Sequence, residues 1–186
     1  MGFTAELGYE VMVPVERGVE LWDRVAEAGA EFGAIGCGGG ALMIVRVEAG
    51  LIMGGLEYDA ETTPFECRMG WAVDLDKSAF QGREALVALK ERARRTIVSL
   101  VVDTPEDADI AELEGAVVLD GDEEVGRITM AVTSPHLDGA TLALARIAKG
   151  HAARGSRLIV RGPDGGVGAE IVPTPVYDPQ RLRVRS

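Results

Sequence analysis

Val117-Val118-Leu119-Asp120-Gly121-Asp122-Glu123-Glu124-Val125 is the stretch on which the reading of the fold turns. Three β-prone residues run into Asp-Gly, and a second β-prone run follows over residues 125–132. Asp-Gly favours the positive φ of a tight turn, so the two runs are expected to pair as a hairpin. Four further β-rich runs flank this pair: 96–102 before it, and 141–147, 157–160 and 169–172 after it. Pro163-Asp164-Gly165-Gly166 is a second turn signal, because glycine reaches φ > 0 without steric cost. Strands this closely spaced predict a small antiparallel barrel or sandwich.

Upstream of Arg95 the texture is mixed. Residues 9–13 read as a short strand closed by Pro14. Val19, Trp22, Val25 and Ala26 recur at helical spacing, with Gly29 as a stop. Gly36-Cys37-Gly38-Gly39-Gly40 forms a turn leading into 41–49, where two signals compete. Ile44-Val45-Arg46-Val47 has strand propensity, while Leu42, Val45 and Ala49 share one helix face. A further helix is expected over 83–92 with Leu86 and Leu89 inward. These features predict an α+β protein with a boundary near Arg92 to Arg95, giving segments 1–92 and 93–186.

Composition narrows the function classes. The chain has 186 residues, 19 Lys and Arg against 30 Asp and Glu, and a net charge of −11. That balance argues against nucleic acid, which needs a concentrated cationic face. The basic cluster Lys90, Arg92, Arg94 and Arg95 is interrupted by Glu91 and reads as a solvated helix end. No apolar run approaches the roughly 18 residues of a membrane helix, so no membrane partner is expected. Cys37 and Cys67 lie too far apart for a metal-ligand spacing, and with only two histidines no metal site is expected. A reduced, cytoplasmic setting fits this cysteine usage. The glycine turn at 36–40 lacks both the Walker lysine and the dinucleotide-binding spacing.

Four segments together resemble a known family: Phe3-Thr4-Ala5-Glu6-Leu7-Gly8-Tyr9-Glu10, Arg46-Val47-Glu48-Ala49-Gly50, Thr62-Thr63-Pro64-Phe65-Glu66 and Gly70-Trp71-Ala72-Val73. They are similar to the C-terminal half of the glycine-cleavage T-protein, a tetrahydrofolate-dependent aminomethyltransferase. The tail Pro173-Thr174-Pro175-Val176-Tyr177-Asp178-Pro179 and the segment Thr133-Ser134-Pro135-His136-Leu137 resemble the family's closing and barrel segments. The resemblance implies a partial aminomethyltransferase folate-binding domain (1–92) followed by a C-terminal antiparallel β-barrel domain (93–186). It implies one-carbon transfer from an aminomethyl-lipoyl carrier protein to tetrahydrofolate. The family's catalytic aspartate belongs to the half not matched, so no catalytic residue is expected here and enzyme status stays open. Alternatives are a folate-dependent demethylase fragment or a non-catalytic folate-binding or regulatory module. A surface normally covered by another half would also favour a homo-oligomer.

By that resemblance the candidate folate-binding residues are Glu6, Tyr9, Glu66, Trp71 and Tyr177. Glu6 falls on the pterin-binding glutamate; a carboxylate accepts two parallel hydrogen bonds from the pterin's amine and ring N–H. Ala5 stands where the family has glycine. Glu10, in the expected strand, reads as structural. The family helix Ala-Arg-Asp-x-Leu-Arg-Leu-Glu-Ala-Gly matches at Arg46 and Glu48 but has Leu42 and Met43 at its first arginine and its aspartate. Losing a guanidinium removes an anchor that leucine does not imitate. Arg46 and Glu48 are open between ligand contact and a mutual ion pair. Glu66 lies on a loop expected to help line the folate pocket. Trp71 is either core or a wall of the folate cavity, and Tyr177 either nears the pocket or packs in the core. Cys67 has no neighbouring histidine, and His136 reads as a surface loop residue.

Overall fold

Six strands close into an antiparallel barrel in the order β1-β4-β3-β2-β5-β6. They are β1 (Arg95–Val102), β2 (Val117–Asp120), β3 (Glu123–Ser134), β4 (Ala140–Ala148), β5 (Arg157–Gly162) and β6 (Gly165–Val172). The computed structural model describes residues 2–162 and 165–183. The Asp-Gly hairpin forms as expected: Asp120 pairs with Glu123 across Gly121, whose φ is 59°. Of the second turn signal, Pro163 and Asp164 lie outside the described residues, and Gly165 opens β6 opposite Gly162.

Strand alternation divides the barrel's apolar residues into two cores. Leu100, Val118, Ile128, Ala143, Leu158 and Ala169 point inward, one from each strand. On the outer face, Ile97, Val132, Leu142 and Leu144 pack against Val47 and Cys67. At Gly126 a Cβ would lie 2.3 Å from the Arg146 carbonyl oxygen, so only glycine lets β3 pass β4 there. β3 carries a bulge between Ile128 and Met130, where Thr129 sits as the extra residue.

The helices are α1 (Gly18–Gly29), α2 (Gly39–Glu48) and α3 (Arg83–Arg92). The ambiguous 41–49 stretch is therefore helical. α2 buries Arg46, Val47 and Glu48 against β3 and β4. Tertiary burial of this one face overrides the β-branched propensity of its middle.

Two expectations need correction. Residues 9–13 form no strand and run exposed and irregular, because no strand among the described residues pairs with them. Gly29 ends α1 as expected, and a separate 3-10 turn, Ala30–Phe32, follows and is capped by Gly33 at φ 72°. On α3, Leu86 is half-buried but Leu89 is exposed, since the helix lies at the rim with no buried residue.

Candidate functional site

The C-terminus of α2 is the point where three remote segments meet. The Glu48 carbonyl, an orphan acceptor of the last helical turn, receives the N–H groups of Val176 (3.1 Å) and Tyr177 (3.0 Å). Its buried side-chain Oε1 accepts from the Ser134 hydroxyl at 2.6 Å and the His136 N–H at 3.1 Å. Glu48 thereby ties the barrel corner and the tail to one helix end. Upstream, the tail is stitched to β1, where Ser99 N–H donates to Thr174 Oγ1 at 2.8 Å. Gly50, at φ 62°, makes room for Thr174.

This anchoring sets Tyr177 beside Glu6, 171 residues away in sequence. The Tyr177 hydroxyl donates to Glu6 Oε1 and accepts from Arg183 Nη1. Arg183 also lies 3.8 Å from Glu6 Oε1, with its guanidinium 5.6 Å from the Tyr177 ring centre. The His136 ring meets Tyr177 edge-on at 5.3 Å. Asp178 folds the tail back by accepting the N–H groups of Leu182 and Arg183. The Glu6 carboxylate beside the phenol favours its protonated form and pushes Tyr177 above its ordinary value, with Arg183 opposing. Ala5 sits at φ 58°, the left-handed conformation natural to glycine, at a cost of about 1–2 kcal/mol.

The other candidates do not join this group. Glu66 turns back on its own loop: Oε2 accepts from Thr63 Oγ1 at 3.1 Å and Oε1 from the Arg94 N–H at 3.3 Å. Burial pushes its carboxyl up, but the hydrogen bonds from Thr63 and Arg94 outweigh this and hold it below its ordinary range. Tyr9 and Trp71 project into solvent, so Trp71 is not core. Glu10 is exposed outside any strand. Cys67 is buried, and burial pushes its thiol up, away from nucleophilic character. His136 is exposed, as a loop residue should be, though its ring contacts Tyr177.

Arg46 does not pair with Glu48. Residues two apart on a helix face different directions, and Arg46 Nη1 instead meets Glu57 Oε2 at 2.9 Å with both side chains fully buried. Nη1 also donates to the Leu51 carbonyl. Glu57 further accepts from Met53 N–H at 2.8 Å and from the bulge residue Thr129 at 2.9 Å. Among the described residues, Arg46 Nε and Nη2 have no hydrogen-bond partner. Sequence reasoning missed Glu57 and Arg183. Both are charged residues in irregular segments, where no periodicity tells burial from exposure.

Two open clefts, of about 510 and 440 Å³, lie at the barrel end (Glu112, Gly115, Arg161) and along residues 78–85. Neither includes Glu6. Among the described residues no group of three or more His, Cys, Asp or Glu is placed to hold a metal, and no helix is long and apolar enough to cross a membrane.

A short helix docked on the outside of a closed six-stranded barrel, with the tail returning to the helix end, defines an α+β protein of barrel-capped class. Comparison with known proteins places it further. The GCVT N-terminal domain family matches residues 1–77, and the glycine cleavage T-protein C-terminal barrel domain family matches residues 95–178. The chain belongs to the glycine-cleavage T-protein family. It is 35% identical to the aminomethyltransferase of Thermotoga neapolitana, over 95% of this chain and 47% of that protein. It is 38% identical to the trimethylamine-oxide aldolase of Ruegeria pomeroyi, over 100% of this chain and 23% of that protein. The crystal structure of glycine cleavage system aminomethyltransferase T from Bartonella henselae shares the fold, with a TM-score of 0.82 and 22% identity over 95% of this chain and 48% of that one. The chain thus spans about half the length of the aminomethyltransferases it matches.

Proposed function

We propose that this chain is the folate-seating portion of a tetrahydrofolate-dependent aminomethyltransferase-like protein, with Glu6 as the pterin acceptor. The observation that carries the reading is the anchored Glu6 carboxylate, held at Oε1 by Tyr177 within a T-protein fold. A carboxylate suits the donor face of a pterin, and a side chain already held in place loses less entropy on binding. Tyr177 and Arg183 would orient Glu6. Tyr9, Glu66 and Trp71 remain candidate pocket residues on this reading, and the division into 1–92 and 93–186 remains part of the proposal. The bound folate would accept the one-carbon unit. Any lipoyl carrier would be met by the whole protein, of which this chain spans a part.

A second reading has its own support. Leu42 and Met43 replace the arginine and aspartate of the resembled helix, and Leu42 is exposed. The 38% identical aldolase covers this chain from end to end. Both favour folate-linked demethylation of a small methylated amine over transfer from an aminomethyl carrier.

The test is calorimetric titration of tetrahydrofolate into the protein carrying this chain in its complete form. Glu6→Ala should weaken binding by about 1.5–3 kcal/mol, the scale of hydrogen bonds to a charged group. Glu6→Gln should also weaken it, since an amide sets donors against donors. Equal affinity for wild type and Glu6→Ala would remove the pterin assignment.

A further inference from the structure

Beyond Tyr177 the tail turns back on itself and delivers one guanidinium to the Glu6 carboxylate. Asp178 and Arg181 take left-handed backbone, at φ 40° and 54°, a conformation that residues other than glycine rarely adopt. The Arg181 N–H closes the turn on the Asp178 carbonyl at 2.8 Å. The Asp178 carboxylate then accepts the N–H groups of Leu182 at 2.9 Å and Arg183 at 3.0 Å. Arg183 Nη1, so placed, donates to the Tyr177 hydroxyl and lies 3.8 Å from Glu6 Oε1. Apolar packing does not account for the turn, because residues 179–183 are all exposed. Backbone strain of this kind persists where other contacts over-determine it, and it gathers at ligand clamps and switches. The contact made here is the one at Glu6.

We propose that residues 178–183 form an autoinhibitory strap over the pterin acceptor, with Arg183 standing in for the ligand's donor edge. The inference rests on the reading of Glu6 as that acceptor and assigns the regulation of the same site. Chemistry supports the substitution. The ring carbon that bears the pterin's exocyclic amine is bonded to three nitrogens, as is Cζ of arginine. Each therefore offers planar N–H donors to a carboxylate, and the two compete for Glu6. The hold is weak enough to release. The Arg183 and Glu6 side chains are 63% and 42% exposed, so water screens the pair, and the two left-handed residues favour opening of the turn. Until then Arg183 keeps Glu6 oriented. After release Tyr177 stays, because its own N–H is fixed on the Glu48 carbonyl at 3.0 Å, upstream of the strap. The hinge thus falls between Tyr177 and Asp178.

The experiment titrates tetrahydrofolate calorimetrically into the complete protein that carries this chain, as wild type, Arg183→Met, Asp178→Ala and Glu6→Ala. Arg183→Met keeps the apolar stem and removes the donor fork. It should bind about threefold to tenfold more tightly than wild type, the scale of a part-exposed charge pair. Asp178→Ala leaves Glu6, Tyr177 and Arg183 in place and loosens only the turn, so it should tighten binding as well. Amide exchange at Leu182 and Arg183 should quicken about tenfold or more on addition of tetrahydrofolate, as a locally opened segment does. The N–H groups of Val176 and Tyr177 should stay protected. Unchanged or weaker binding in Arg183→Met, with Glu6→Ala weakened, would overturn the strap and leave the pterin assignment standing. So would unaltered exchange at Leu182 and Arg183 in the liganded protein. Wild-type affinity in Glu6→Ala would remove the pterin assignment itself, and the strap with it.

Discussion

Removing the Glu57 carboxylate should destabilise the protein far more than removing the Arg46–Glu57 pair together. Both side chains are fully buried, and among the described residues Glu57 is the only anion paired with Arg46. In Glu57→Leu, Arg46 keeps the Leu51 carbonyl while Nε and Nη2, already without partners, stay so. Breaking a buried pair from one side costs about 3–5 kcal/mol, because the surviving charge is uncompensated. Arg46→Met with Glu57→Leu removes both charges and refills the space with apolar volume, which is neutral or favourable by about 1–4 kcal/mol. Against that stands the Met53 N–H, which loses its acceptor at about 1–3 kcal/mol. Thr129 keeps the Leu144 carbonyl and loses little. The double variant should therefore lie within about 1–2 kcal/mol of wild type, a strongly non-additive result. Urea unfolding followed by far-ultraviolet circular dichroism, at unchanged m, measures all three stabilities. A Glu57→Leu cost below about 1 kcal/mol, the scale of exposed pairs, would refute the reasoning. So would additive behaviour in the double variant.

Three further outcomes are expected. Gly126→Ala should cost about 1–3 kcal/mol in the same assay, since its methyl group meets Arg146 backbone and Ile147 within 2.7 Å; a neutral result would show that β3 and β4 separate freely. Tyr177 has its phenol raised above 10.0 in the fold, chiefly by its hydrogen bond to Glu6, so the protonated form is the stabilised one. Its contribution is complete below the ordinary phenol value and is lost as pH rises through the raised one. Ultraviolet titration should show one late-ionising tyrosine that reverts in Glu6→Ala and vanishes in Tyr177→Phe. Alkylation with iodoacetamide near pH 8 should label exposed Cys37 and spare Cys67, which is buried with its thiol pushed up; equal labelling would contradict the packing of Cys67 beneath the barrel face.

Sequence by itself determined what depends on neighbours along the chain. Each of the six strands was legible because its β-prone residues lie between turn residues whose backbone preference is local, as at Asp120-Gly121. The helix at 83–92 and the face of Val19, Trp22 and Val25 were legible from the 3.6 period. The family motif at Glu6 and the tail at Tyr177 could each be quoted as a segment. Periodicity says how a segment folds, but it does not say what that segment touches. The strand expected at 9–13 failed for that reason: a strand exists only with a paired edge, and among the described residues none pairs with it. Leu89 and Trp71 ended exposed because burial needs a partner surface at that place. Only the tertiary structure decided that Arg46 meets Glu57 across a loop instead of Glu48 two residues on. It alone brought Tyr177 and Arg183 to Glu6 from the opposite end of the chain. Those contacts arise because the barrel closes β1 on β6 and returns the tail to the end of α2, a closure that no local pattern in the sequence encodes.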